Sequence, residues 1–292
     1  MELGKVGVWW SGSWRGDPGA GDIASELESL GFGALWSSGR FEAGVAGHFE
    51  RILVQTTKVV VASGIISIWP NEPGRLANAV DDLDSRYPGR FLLGLGASHS
   101  AVVPEYSRPY GRMIEFLDGL DGLVASRPGC GSVGPFGKES RVLAALGPRM
   151  LSLAASRAAG AHPYFVPAEH TERARRTLGP GPLLAPEVTV VLEENAAKAR
   201  DLARTFTAGY LALDNYNRNL RSLGFGDEEL ADGGSDRLVD AVVCWGDPAT
   251  VASKVRSHLD AGADHVCLQV VTSSPSSFPM AQYRDLAGAL DL

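Results

Sequence analysis

Residues 58–96 read KVVVASGIISIWPNEPGRLANAVDDLDSRYPGRFLLGLG, and three segments within them decide the fold. Lys58 to Ile66 is nearly continuous in valine and isoleucine, the pattern of a strand buried on both faces. Pro73 to Tyr87 has helical spacing and opens on a proline, which suits a first turn because its N–H would have no partner there. Arg90 to Gly96 returns to an apolar run. Strand, helix and strand at these lengths form a parallel crossover unit.

The alternation extends in both directions. Upstream, runs at Lys5 to Trp10 and Gly33 to Ser37 are each followed by a helical segment. The first is Asp22 to Leu30, with Asp22 as its cap and Gly31 as its stop, and the second lies within Val45 to Thr56. Four units are complete by Ser126. Arg127 to Ser140, rich in Gly, Pro and Ser, reads as a loop inside one domain. Val142 to Ala145, Pro163 to Val166, Glu187 to Leu192 and His265 to Val271 read as strands five to eight. Pro148 to Ala159, Ala168 to Leu178 and Met280 to Leu290 read as helices. Ala196 to Leu223 has helical spacing through Leu202, Phe206, Leu211 and Leu220, and turn formers from Asp227 to Ser235 interrupt it. Pro248 to Ala261 is a helix leading through Gly262 to strand eight. The expectation is an α/β fold, a (β/α)8 TIM barrel over residues 1–292 as a single domain, with an insertion of helices before strand eight.

Composition excludes several classes. The formal charge is −7, and the only basic group is Arg173, Arg175 and Arg176 on an expected helix, so nucleic acid is not an expected partner. Cys130, Cys244 and Cys267 are odd in number and form no CxxC pair, which argues against a disulfide framework or a thiolate metal site and for a reducing cytoplasm. The first ten residues, MELGKVGVWW, lack the features of an export signal, and no stretch reaches the roughly 20 apolar residues of a spanning helix, so no membrane association is expected.

A barrel of this kind carries its chemistry at the carboxyl ends of its strands. Those tips are Trp10 and Ser11, Ser37 to Arg40, Gly64 to Trp69, Gly96 to His99, Gly147 to Met150 and Thr272 to Ser274, with His162 and Tyr164 near strand six. They hold no metal-ligand cluster, no strand-end lysine and no carboxylate pair. They are rich in Gly, Ser and Trp, which let backbone approach a phosphate while aromatic walls exclude water, a pattern that suits a phosphorylated cofactor with a planar head. Gly94-Leu95-Gly96-Ala97-Ser98-His99 is the sharpest signal. Its sixth position is His99, so it is not a dinucleotide-binding fingerprint. Gly147-Pro148-Arg149-Met150 opens a helix whose N–H groups favour an anion, with Arg149 adding charge.

Four segments give the chain a family resemblance: Glu28-x-Leu30-Gly31-Phe32-x-x-Leu35-Trp36, Ala62 to Trp69, Pro88 to His99, and Ala261-Gly262-Ala263-Asp264-His265-Val266. It resembles the luciferase-like superfamily, and within it the actinobacterial oxidoreductases that use the deazaflavin coenzyme F420. The resemblance implies a pocket at the strand ends that holds the deazaflavin, a cis peptide at Gly64-Ile65 under one face of the ring, and a homodimer packed through the early helices. It implies that the Gly96, Ala97, Ser98, His99 segment and the Gly147, Pro148, Arg149, Met150 turn line the ribityl chain and phosphate. Trp10, Trp36 and Trp69 are candidate walls, and Ser38, Gly64 and Ile65 complete the expected cofactor contacts.

The departures matter too. Dehydrogenases of this branch carry a histidine after strand two and often a glutamate after the strand-four glycines; Ser38-Gly39-Arg40 and Ala97 stand at those places. The candidate proton donors left are His99, Tyr110, His162 and solvent, so reduction of an activated double bond or of an unidentified acceptor is favoured over oxidation of an alcohol. The function expected is hydride transfer between F420 and a small organic substrate. The alternatives are an FMN-dependent luciferase-like monooxygenase and a non-catalytic F420-binding protein. No metal is expected.

Overall fold

Parity along the strands sorts the side chains. In the computed structural model, Val6, Val8 and Trp10 of β1 (Val6–Trp10) pack in the main core under the helices, whereas Trp9 joins a separate inner cluster with Ala34, Trp36, Val60, Ala62 and Leu92. Successive strand residues point to opposite faces, and both faces here are buried. Residues 1–10, 19–39, 45–126, 134–274 and 277–292 are described; Ser11, Arg40 and the first half of the 127–140 loop, Cys130 included, lie outside them.

Ten parallel strands are present among the described residues. After β1 come β2 (Ala34–Gly39), β3 (Val60–Ser67), β4 (Phe91–Gly96), β5 (Arg141–Leu143), β6 (Gly160–Ala161), β7 (Leu183–Leu184), β8 (Glu187–Leu192), β9 (Val243–Gly246) and β10 (Val266–Val270). Their order in the sheet is β7-β6-β5-β4-β3-β2-β1-β10-β8-β9, and the register sets Val8 opposite Leu35 and Val6 opposite Val266. Only Ala185 and Pro186 separate β7 from β8, yet Ala185 N–H donates to Ala161 O on one side while Pro186 O accepts from Cys267 N–H on the other. The segment 183–192 therefore joins β6 to β10, and the sheet is curled.

The helices are α1 (Ala20–Ser29), α2 (Val45–Gln55), α3 (Pro73–Arg86), α4 (Pro109–Ala125), α5 (Pro148–Arg157), α6 (Ala168–Leu178), α7 (Ala196–Leu211), α8 (Asp214–Ser222), α9 (Asp227–Leu230), α10 (Asp236–Val242), α11 (Pro248–Asp260) and α12 (Met280–Leu290). Among the described residues no helix is long and apolar enough to cross a membrane.

The expectation of eight strands falls two short of this count, lacking β7 and β9, and it also misplaces strand six. Strand six is Gly160–Ala161 rather than Pro163 to Val166, because His162 N–H bonds to Leu143 O while Phe165 turns the chain at φ 56°. Val243–Gly246, to which the sequence reading assigned no element, pairs with β8 as β9. The helix read over Ala196 to Leu223 divides into α7 and α8, and α1 begins at Ala20 with Gly19 as its cap, which places Asp22 in the first turn. Gly31 follows α1 at φ 98°, the left-handed stop that glycine allows.

Several residues that carry the family resemblance act at the amino ends of the strands, away from the tips. Glu28 accepts from the N–H groups of Thr57, Lys58 and Val59, and these bonds hold its carboxyl below the usual range against the opposing effect of burial. Arg90 donates to the carbonyls of Leu53, Thr56 and Val59. Asp264 accepts from Leu184 N–H and pairs with Arg175 at 2.5 Å. Each ties a loop to a strand start, so these residues mark the architecture.

Candidate active site

A cavity of about 630 Å³ lies at the carboxyl ends of the strands. Its floor is built around a bulge in β3, where the pairing with β4 shifts between Ala62 and Ile66 and the Gly64–Ile65 peptide is cis, the geometry the resemblance implied. Ser63 Oγ donates to Gly94 O at 3.0 Å and accepts from Gly94 N–H at 2.7 Å. A Cβ on Gly94 would overlap Ser63 O, and one on Gly96 would overlap the Ile65 side chain. The two glycines are required because the bulge lies directly on them. Ile65 lines the cavity; Gly96 does not.

Trp9, Ser38, Gly64, Ala97 and Ser98 complete the floor. Ser98 sits at φ 58°, a left-handed conformation uncommon outside glycine, and His99 follows it into the cavity wall. His99 Nδ1–H donates to Asn215 Oδ1 of α8 at 2.8 Å, so Nε2 carries the ring's free lone pair. Burial holds the His99 pKa below its ordinary value, opposed by the Asn215 bond. His162 donates from Nδ1 to Ala185 O at 2.7 Å, stacks on Trp36 and is pushed down to about 4 by burial. Among the described residues its Nε2 and Trp9 Nε1 have no hydrogen-bond partner, and both lie within 3.2 Å of the point that a Cβ on Gly64 would occupy.

One wall is aromatic. The Tyr164 hydroxyl donates to Gln269 Oε1 at 2.5 Å and accepts from the Tyr210 hydroxyl at 2.7 Å, while Tyr216 meets Tyr210 edge to face. Burial raises the pKa of all three phenols, that of Tyr210 to about 12, so they remain protonated hydrogen-bonding groups. Behind this wall Glu187 accepts from Phe165 N–H and Thr189 Oγ1, with its carboxyl pushed up to about 7 by burial. At one end Gly147 caps α5 without a side-chain bond, so first-turn N–H groups remain for a ligand. A Cβ on Gly147 would meet nothing within 4 Å.

Of the residues expected at the site, Ser38, Gly64, Ile65, Ala97, Ser98, His99, Gly147, Pro148, Met150 and His162 line this cavity. Trp10, Gly96, Arg149 and Tyr110 do not. Trp10 has the outward parity of β1 and packs on Phe278 at 4.4 Å between ring centroids. The Arg149 guanidinium lies over the Tyr110 ring at 4.4 Å, and the two occupy each other outside the cavity. Trp36 is fully buried, and Trp69 donates to Ala97 O from behind the floor. Among the described residues no three His, Cys, Asp or Glu side chains gather as a metal site.

Tyr164, expected near strand six, lines the cavity as well; sequence reasoning missed Trp9, the Tyr210 and Tyr216 part of the aromatic wall, and the surface contributed by α6 and α8, namely Arg173, Asn215, Arg218, Asn219 and Ser222. The signal was present. Residues 214–222 read DNYNRNLRS, in which Tyr216 and Leu220 mark the core-facing side and Asn215, Arg218, Asn219 and Ser222 recur at helical spacing as a second, polar stripe.

This architecture is shared with known enzymes. An F420-dependent secondary alcohol dehydrogenase in complex with an F420–acetone adduct superposes with a TM-score of 0.72 at 16% identity, covering 99% of each chain. The coenzyme F420 dependent tetrahydromethanopterin reductase from Methanopyrus kandleri gives 0.67 at 18% identity, again over 99% of both. The oxygenating constituent of 3,6-diketocamphane monooxygenase from Pseudomonas putida, in complex with FMN, gives 0.66 at 15% identity, covering 98% of this chain and 97% of that one. No curated protein sequence matches the chain. At these identities the likeness establishes the fold alone. The family model for luciferase-like monooxygenases matches residues 18–265, and the chain belongs to that family.

Proposed function

We propose that the chain is an F420-dependent oxidoreductase, with the deazaflavin held across the strand ends and hydride exchanged with a small organic substrate. The observation that carries this reading is the form of the cavity: an apolar floor of Ile65 and Ala97 faces a wall of tyrosines, and an uncapped helix start stands at one end. A flat ring fits the first two, and a phosphate fits the third. Bound there, the cofactor supplies a hydride donor or acceptor at C5 of its central ring. Ile65 would bear on one ring face, Trp9 and the tyrosines would exclude water, and the N–H groups of Arg149 and Met150 would hold the phosphate.

His99 handles the proton. Its Nδ1 is committed to Asn215, and its lowered pKa keeps the ring neutral near pH 7, so Nε2 would be the atom that takes a proton from a substrate hydroxyl and returns it in the reverse direction. Oxidation therefore has a base despite Ser38 and Ala97 standing where related dehydrogenases carry their acid–base pair. We propose a homodimer that packs through α1 to α3, where Val54 of α2 is 61% exposed.

An FMN-dependent monooxygenase is the rival reading, favoured by the FMN-bound fold relative. Equilibrium titration of purified protein with each cofactor separates the two. Micromolar or tighter F420 binding with much weaker FMN binding is expected; the reverse order overturns the assignment. Turnover of a substrate by the loaded protein, above free cofactor, excludes a purely carrier role.

A further inference from the structure

We infer that the cavity-lining stripe of α8, together with Arg173 of α6, is an oxyanion subsite for the substrate, which is therefore a small organic anion bearing a carboxylate or a phosphate. This rests on the reading of the cavity as a redox-cofactor site.

Asn215, Arg218, Asn219 and Ser222 fall on one face of α8, and all four line the cavity. A helix packed on a protein ordinarily turns apolar residues inward. Tyr216 and Leu220 of α8 do so, and beside them a second, polar stripe lines the cavity, with Asn219 buried, Asn215 half-buried, and Arg218 and Ser222 exposed. Asn219 is 6% exposed and its Nδ2 has no partner among the described residues, a buried donor left desolvated until an acceptor arrives. Arg173 reaches across from α6 and donates to Ser222 O and Oγ at 3.3 and 3.0 Å. Arg218 donates only to Asp214 O at 3.3 Å. Among the described residues neither arginine forms an ion pair, and no Asp or Glu lines the cavity. A chain of net charge −7 thus carries a locally positive cavity, which concentrates anions at its mouth.

The position selects substrate rather than cofactor. Asn215, which holds His99, stands three residues before Arg218, so an anion on Arg218 lies about one helical turn, roughly 5 Å, from the residue that orients the proton-handling ring. A reacting carbon a few bonds from the charged group would then meet His99.

The test uses the F420-loaded protein, follows cofactor fluorescence, and titrates inorganic phosphate, butyrate and the neutral isostere butyramide. Saturable binding of phosphate and butyrate in mutual competition, with butyramide far weaker, is expected. Arg173→Gln and Arg218→Gln should each weaken anion binding about tenfold, the worth of a charge-assisted hydrogen bond, and leave F420 affinity within about twofold. Anions that bind no better than butyramide overturn the inference. So does loss of F420 affinity in the variants with retained affinity for its phosphate-free deazaflavin core, which would assign the arginines to the cofactor tail. If wild-type protein fails to bind F420, the cofactor reading fails by itself. The anion titration, followed by tryptophan fluorescence of unloaded protein, still decides the subsite.

Discussion

His99 Nδ1 and Asn215 Oδ1 stand 2.8 Å apart although 116 residues separate them, and this bond ties the tip of β4 to α8. Asn215→Leu removes the acceptor while leaving the burial, so the His99 pKa, already below 6.5, should fall further. An NMR titration of the imidazole checks this. Cofactor affinity should fall about tenfold as α8 loses its tether. An unmoved His99 titration would show that the bond is absent in solution.

The glycines divide by what surrounds them. Gly94→Ala sets a Cβ against the Ser63 carbonyl, backbone on backbone, and should cost more than about 4 kcal/mol or prevent folding. Gly96→Ala meets the end of the Ile65 side chain, which can turn away, at a cost of about 1–3 kcal/mol with reduced F420 affinity as Ile65 shifts in the floor. Gly147→Ala has open space and should change stability by less than about 1 kcal/mol. Urea denaturation of the three variants should rank them in that order.

Acid should destabilise the fold. Burial holds His162, His170, His258 and His265 at about 4, against an ordinary 6.5. Between those values the unfolded chain binds more protons, so stability falls as pH drops through the window. Glu187, held at about 7 against 4.5, acts oppositely: the folded state binds the extra proton between 4.5 and 7, and its contribution is lost as pH rises through 7. Four histidines outnumber one glutamate. Below about pH 6 stability should fall by more than about 1.4 kcal/mol per pH unit, and Glu187→Gln, lacking the opposing contribution, should fall more steeply. A flat profile from pH 7 to 5 would contradict these burials.

The first four strands were legible because runs such as Lys58 to Ile66 are long, β-branched and bounded by turn residues. Gly160–Ala161 was not, since two small residues carry no periodicity and their pairing depends on Leu143 and Leu183 from distant parts of the chain. Val243–Gly246 follows α10 without a break, so nothing local marks the change from helix to strand. At the site, the glycines of β4 were conspicuous, but their reason lies in the bulge beneath them. Trp10 was chosen over Trp9 because the run alone does not reveal which parity faces inward. The α8 surface was overlooked because a polar helix ordinarily reads as solvated.

A homodimer through α1 to α3 should appear in sedimentation at micromolar concentration, and Val54→Glu on the exposed face of α2 should shift it toward monomer without loss of helicity. A wild-type monomer at that concentration would remove the proposal.

The most direct test of the central claim is a crystal structure of the protein soaked with F420. The account predicts the deazaflavin ring against Ile65 and Ala97, the phosphate at the N–H groups of Arg149 and Met150, and His99 Nε2 facing the substrate side. A cavity that stays empty at saturating F420 while FMN fills it, or F420 bound elsewhere, would contradict it.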